Sequence, residues 1–309
     1  MKRLALILLA FGVTIALMTA CNPVTPPGPG AITDDLGRTV TVAETPERII
    51  SLAPSITEIL FALGMGNKVV GVTDFCDYPE ELLDNIEMGE IQRVGAPFPG
   101  FNLETIVSLE PDVAFAIGAT VPDYVDDIDE KGIPAIVLNP EDIDGIFHDI
   151  EMVGEVTGTE AEAAALTADL EAQIDAIVAT VADAPTLEVF YGADVSDPSV
   201  PWTAGNGTFI DAFITLAGGE NIAGEVDGWT TFSLEVLVDT NPDIIVLGGA
   251  LWGISAEDVT GHPAWQDLDA VKNGKVFAID DTPLVRPGPR IADGLELLAG
   301  LIHPELFEG

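Results

Sequence analysis

Two glutamates, Glu104 and Glu235, stand at the same place in two near-copies of one phrase. The first copy, NLETIVSLEPDV, runs from Asn102 to Val113; the second, SLEVLVDTNPDI, runs from Ser233 to Ile244, 131 residues further on. Each holds Leu-Glu, an apolar pair, a short polar gap, Pro-Asp and an aliphatic residue. A carboxylate in a first helical turn is favoured by the helix dipole. The opposite charge is scarce. Beyond residue 21 the chain has five arginines, and two of them bracket Arg286-Pro-Gly-Pro-Arg290. That stiff loop can present Arg286 to a cleft, where a planar guanidinium binds an amide, a phosphate or a carboxylate. The structural alternative is a salt bridge with Asp280 or Asp281, and for Arg290 a structural role is the stronger reading.

Other chemistry is excluded by what is missing. His148, His262 and His303 are scattered without ligand-like spacing, so a bound bare metal is not expected. His262 and His303 each precede a proline and read as loop caps. Cys21 and Cys76 are the two cysteines, too few for a zinc ribbon, a CxxC redox site or a disulfide framework. Cys76 reads as a small, partly buried side chain. There is no GxSxG elbow, no Walker A loop and no HExxH, and Ser55 has no evident histidine partner. No enzyme is read here.

The elements that must position these residues begin after an export signal. Lys2 and Arg3 precede an apolar run from Leu4 to Leu17, too short to span a membrane comfortably, and Thr19-Ala20 lead into Cys21. Asn22 to Gly30 is rich in Pro and Gly and reads as a semi-rigid tether reaching roughly 30 Å at ~3.1 Å per residue. Ile32 to Val42 suggests a hairpin around Asp35-Leu-Gly-Arg38. Arg48 to Leu52 reads as a strand, and Ser55-Ile-Thr-Glu58 as a capping box opening a helix through Leu63. Further strands are expected at Val69–Val72, Val113–Ile117, Ile133–Leu138, Glu188–Tyr191, Ile244–Leu247 and Lys275–Ile279. Helices are expected over Asn102–Glu110, near Gly207–Leu216, from Ser233 and over Asp293–Leu301. Strands and helices alternating at this spacing imply βα units and largely parallel sheets. Thr159 to Ala182 contains no Gly or Pro, starts with a Thr159/Glu162 capping box and reads as one helix of about 36 Å. The organisation expected is a signal over 1–21, a tether over 22–31, a lobe over 32–142, a linker with the long helix over 143–184 and a second lobe over 185–309.

The formal net charge of −41 comes from 52 acidic and 11 basic residues. It argues against nucleic acid and against attraction to anionic lipid. Such a surface suits salty surroundings, where self-repulsion is screened, and equally an ordinary acidic extracellular protein.

The run Arg48-Ile-Ile-Ser-Leu-Ala-Pro-Ser-Ile-Thr-Glu58 is followed by Val-Gly-Val-Thr-Asp-Phe-Cys-Asp-Tyr-Pro79 and then by Asn102-Leu-Glu with Pro111-Asp112. Together they resemble the substrate-binding proteins of ABC importers for cobalamin, haem and iron–siderophores. The likeness continues through Trp229 to Glu235, His262-Pro-Ala-Trp265 and Arg286-Pro-Gly-Pro-Arg290, covering about residue 32 onwards. The Asp-Tyr-Pro and Asn-Leu-Glu details are most similar to the cobalamin branch. The ending Leu17-Met-Thr-Ala-Cys21 resembles a lipobox, with Met18 a less usual occupant.

The resemblance implies an α/β protein of two Rossmann-like lobes with mainly parallel central sheets, joined by a single long backbone helix. It implies a corrinoid held between the lobes by Phe75, Phe98, Trp202, Trp229 and Arg286; Phe75 and Phe98 stand where the family often has Trp or Tyr. It implies that Glu104 and Glu235 meet basic pockets of an ABC permease, which works with its ATPase. Lipidation of Cys21 would hold a monomer at the extracytoplasmic face of the membrane. No resident cofactor is implied, since the metal chelate is cargo. An iron–siderophore or haem cargo is the alternative, and an extracellular sensor on the same fold a further one.

Overall fold

The computed structural model describes residues 30–118 and 122–307. The expected signal, the lipidation site at Cys21 and the tether up to residue 29 lie outside the described residues.

Parallel strands that read as unbroken apolar runs must be covered on both faces. Val113–Ile117 and Ala135–Leu138 are of this kind, as is Ile244–Leu247, and all are buried almost throughout. They form the centres of two sheets. The first places its strands in the order Gln92–Arg93, Val69–Val72, Ile49–Ser51, Val113–Ile117, Ala135–Leu138, all parallel. The second runs Gly219–Asn221, Leu187–Gly192, Ile244–Leu247, Val276–Ala278, also parallel. The first strand in sequence lies between the second and the fourth in the first sheet, and between the second and the third in the second sheet. Strand order therefore reverses there, and loops leaving the carboxyl ends on either side of a reversal diverge to open a crevice.

The duplicated phrase becomes the same structural unit twice. Asn102 caps the helix Leu103–Ser108 by accepting from the Thr105 amide at 3.0 Å, and Ser233 caps Leu234–Thr240 by accepting from the Val236 amide at 3.4 Å. Glu110 and Asn241 follow at φ 46° and 54°, the two non-glycine residues with positive φ among those described. Pro and Asp come next. Asp112 accepts from the amides of Glu47 and Arg48 at 2.8 and 2.9 Å, and Asp243 from that of Glu188 at 2.9 Å. Each aspartate thus clips the incoming strand to the start of its lobe's first strand, setting the registers Ile49↔Val113 and Val189↔Ile244.

Two local expectations need correction. The helix Pro54–Ala62 is opened by Pro54 behind Ala53, with no side-chain cap; Ser55 and Glu58 are both buried and form no capping box. Proline is suited to this place because a first-turn N–H would be unpaired anyway. Thr159 does stand at the N-cap of Glu160–Val181, but its hydroxyl bonds Thr157 at 2.8 Å instead of capping. Between residues 143 and 184 lie two helices, Ile143–Thr157 and the 22-residue Glu160–Val181. The former starts at Asp142, whose carboxylate accepts from the Gly145 amide at 2.8 Å, and stops at Gly158 with φ 70°.

Along Glu160–Val181 the buried residues are Ala163, Thr167, Leu170, Ile174, Ile177 and Val181, a stripe with steps of three and four. It packs on Ile143–Thr157 on one side and on Ile291–Ile302 on the other. One apolar core runs continuously beneath it, from Ile49, Val113 and Ile136 through Leu170 and Ile177 to Val189, Phe213 and Leu295.

Candidate functional site

The candidate aromatic residues all lie on segments that follow the carboxyl ends of parallel strands. Phe75 follows Val69–Val72, Phe98 follows Gln92–Arg93, Trp202 follows Leu187–Gly192 and Trp229 follows Gly219–Asn221. All four are exposed. Phe98 is the extreme at 86 %, at the tip of a hairpin whose arms pair Gly95 with Phe101 and Ala96 with Gly100. Behind the hairpin Tyr124 donates to the Pro97 carbonyl and meets Phe101 edge-on at 5.1 Å. Trp202–Ala204 and Trp229–Thr231 form an antiparallel ribbon with Trp202↔Thr231 and Ala204↔Trp229. Partners in register share a face, and so do alternate residues, so this register puts both tryptophans on one face as diagonal neighbours. Trp229 lies edge-on to the buried Tyr191 ring at 6.4 Å.

Tyr191 is fixed in turn by Asp281. Its hydroxyl donates to Asp281 Oδ2, and burial first, then the neighbouring carboxylate, push the phenol well above its ordinary pKa. The other oxygen of Asp281 accepts from the Gly249 amide at 3.0 Å. Gly249 opens the turn Ala250–Trp252, closed by Gly253, with φ 73° and 91° at the two glycines. This turn raises Trp252 to 81 % exposure at the carboxyl end of the strand Ile244–Leu247. Asp281 is therefore engaged with Tyr191 and Gly249, and Asp280 with the amide and hydroxyl of Thr282 at 3.0 and 2.7 Å.

The arginines reach across to the other lobe. Arg290 Nε and Nη2 donate to the two oxygens of Glu58 at 2.8 and 2.7 Å. Arg286 Nη1 and Nη2 donate to the two oxygens of Asp77 at 2.6 and 3.1 Å, and Nη1 also approaches Glu58 at 3.3 Å. The Tyr78 ring covers the Arg290 guanidinium at 4.3 Å. Burial opposes the charge on each guanidinium. The bonded carboxylates, Asp77 for Arg286 and Glu58 for Arg290, outweigh it and hold both above the ordinary arginine value. The hydrogen bond from Arg286 likewise holds Asp77 below the usual carboxylate range. Arg286 thus has a salt bridge, but to Glu58 and Asp77 rather than to Asp280 or Asp281. Glu58, Asp77, Tyr78 and Trp252 escaped the sequence reading. A glutamate inside an apolar helix and an Asp-Tyr-Pro run were visible, but nothing local announces their partners.

Near these groups Cys76 is buried between the hydroxyls of Thr57 and Thr73, and burial raises its thiol pKa, so it is a packed side chain. His262 bonds the Ala264 amide through Nδ1 at 3.4 Å, while His303 is buried with Nε2 3.3 Å from the Gly218 carbonyl. Among the described residues no group of three or more His, Cys, Asp or Glu is placed to hold a metal. A cavity of about 610 Å³ lies away from the cleft, beside the strand Gly219–Asn221 and between Glu188, Asp211 and Glu225; no aromatic side chain lines it.

Glu104 and Glu235 are exposed in the first turns of their matched helices. Each is followed three residues on by an exposed valine, Val107 and Val238. Helices in βα crossovers run against the strands, so these first turns stand at the edge where the aromatic loops emerge.

The chain is recognisably related to known proteins. A family model described as periplasmic binding protein matches residues 49–283. Over 288 residues the chain is 32% identical to YvrC, an uncharacterised ABC transporter substrate-binding lipoprotein of Bacillus subtilis, covering 91% of this chain and 87% of that one. It is 30% identical over 297 residues to a cobalamin-binding protein of Halobacterium salinarum, covering 92% and 75% respectively. The apo form of RhuT, a periplasmic haem-binding protein of Roseiflexus sp. RS-1, superposes with a TM-score of 0.75 at 27% identity, covering 84% of this chain and 99% of that one. On a match that takes in both sheets and every cleft loop up to Pro283, this chain belongs to the periplasmic binding protein family.

Proposed function

We propose that this protein is the substrate-binding component of an ABC importer and that its cargo is a corrinoid, captured between the lobes and delivered to the permease. The observation that carries this reading is the set of exposed aromatic side chains that follow the carboxyl ends of parallel strands in both lobes: Phe75 and Phe98 in one, Trp202, Trp229 and Trp252 in the other. A flat ligand with apolar faces needs such surfaces, with few polar groups to orient it. The polar group on offer is Arg286. A lipid anchor at Cys21 would keep the body near the membrane. A haem or an iron–siderophore is the second reading, favoured by the arginines at the cleft, since a guanidinium suits a ligand carboxylate.

Tryptophan quenching during titration with cyanocobalamin, haemin and a ferric hydroxamate tests the cargo. Saturation by cyanocobalamin at micromolar levels is expected; saturation by the hydroxamate with no response to the corrinoid would sink the reading. Docking is assigned to Glu104 and Glu235. Exposed pairs contribute ~0.2–1 kcal/mol each, but a carboxylate buried against a permease arginine costs roughly 2–5 kcal/mol to remove. A Glu104→Ala/Glu235→Ala variant should keep cargo affinity and lose transport in a reconstituted importer. Intact transport by that variant removes the docking role.

A further inference from the structure

Four charges make one column between the lobes. Glu58 lies at its base with a side chain 2% exposed, Arg286 and Arg290 stand at 15% and 17%, and Asp77 forms the outer end at 53%. Glu58 is claimed by both oxygens in its bond to Arg290. What remains of the Arg286 fork points at Asp77, which is the one acceptor of Nη2 among the described residues. Asp77 therefore fills the place that a carboxylate from a ligand would take, with the two-bond geometry such a ligand would adopt.

Resting on the cargo reading above, we propose that Asp77 is a specificity-determining residue: it occupies the Arg286 fork and so biases the cleft against ligands that carry carboxylates. A carboxylate-bearing chelate such as haem must break both bonds to Asp77. It then leaves a freed carboxylate beside its own, in a protein whose formal charge is already −41. A rim of neutral amides meets neither obstacle, because it can bond the outer edge of Asp77 or of Arg286 without separating them. The same arginine that suggested an anionic cargo is thus already neutralised. Asp77 acts through Arg286, so its effect must vanish with that residue.

The test compares wild type, Asp77→Asn, Asp77→Ala and Asp77→Asn/Arg286→Gln, each titrated with haemin and cyanocobalamin at 0.1 M and 1 M NaCl. Asp77 is exposed and the Arg290–Glu58 pair remains in every variant, so a loss of folding is not expected; thermal melts check it. Either single variant should raise the ratio of haemin to corrinoid affinity about tenfold or more. The gain should shrink in 1 M salt and disappear in the double variant. An unchanged ratio, or a gain that survives Arg286→Gln, overturns the proposal. If wild type takes up no corrinoid, the cargo reading falls while haemin still decides on Asp77: a tenfold gain supports the role, and no gain ends it.

Discussion

At the residue scale the strongest energetics belong to buried carboxylates. Asp149 is buried against Asp35, and one of its oxygens, Oδ1, has no hydrogen-bond partner among the described residues. Burial first, then the bond and the charge of Asp35, push its pKa up to about 9. The folded state therefore holds a proton that the unfolded chain releases near the ordinary aspartate value. Stability from this group is full below that unfolded value and is lost progressively as the pH rises towards about 9. Asp149→Asn replaces the neutral acid with a neutral amide that keeps a donor. Its melting temperature should exceed that of wild type by at least ~2 °C at pH 8, the shift given by about 1 kcal/mol, and match it at pH 4. Equal melts at both values would show that Asp149 carries no proton. Glu58 makes the opposite case, since both of its oxygens are paired with arginine. Arg290→Ala leaves it with the 3.3 Å contact to Arg286 alone. A loss of roughly 3 kcal/mol is expected from such a broken buried pair, read by denaturant unfolding; a loss below ~1 kcal/mol would mean that Arg286 takes over the site.

Elements show where the sequence speaks and where it falls silent. Alternating strands and helices were legible because a buried parallel strand is an apolar run and its helix carries a periodic stripe. The repeated phrase was legible because one backbone problem, a helix turning into a core strand, is solved twice with the same residues. The helix Ile143–Thr157 was not, because Gly145 and Gly154 interrupt the pattern that a Gly-free criterion seeks. Gly154 has a tertiary reason: a Cβ there would lie 2.6 Å from that of Ala163 and 3.2 Å from the Thr159 carbonyl. The glycine is what lets the two helices touch. Gly154→Val should cost about 1–3 kcal/mol by overpacking, seen as a lowered midpoint in urea; an unchanged midpoint would mean that the helices part freely. Neither missing cap was legible either. Ser55-Ile-Thr-Glu58 has the letters of a capping box, but Pro54 already opens the helix, and Glu58 answers to arginines 228 and 232 residues away. Local pattern carries no information about such partners. The same holds for Tyr78 over Arg290, and for Trp252, which stands out once the turn between Gly249 and Gly253 is seen.

For the whole molecule, the lobes share a core as well as a connection. The stripe of Glu160–Val181 belongs to the same apolar cluster as both central sheets, and the charged column spans the two lobes beside the cleft. Large separation of the lobes would expose that core and strand Glu58, so their movement about cargo is expected to be small. On the docking role proposed for them, Glu104 and Glu235 are a caliper with a nearly fixed opening. A transporter that grips both jaws reads the same gauge on an empty carrier as on a full one, and must sense the load by some other touch. Empty carriers should then occupy the gate as loaded ones do. Adding a tenfold excess of cargo-free protein to a reconstituted importer is expected to slow uptake several-fold, and the Glu104→Ala/Glu235→Ala form should fail to do so. Undiminished uptake under that excess would show that the jaws move with the cargo after all.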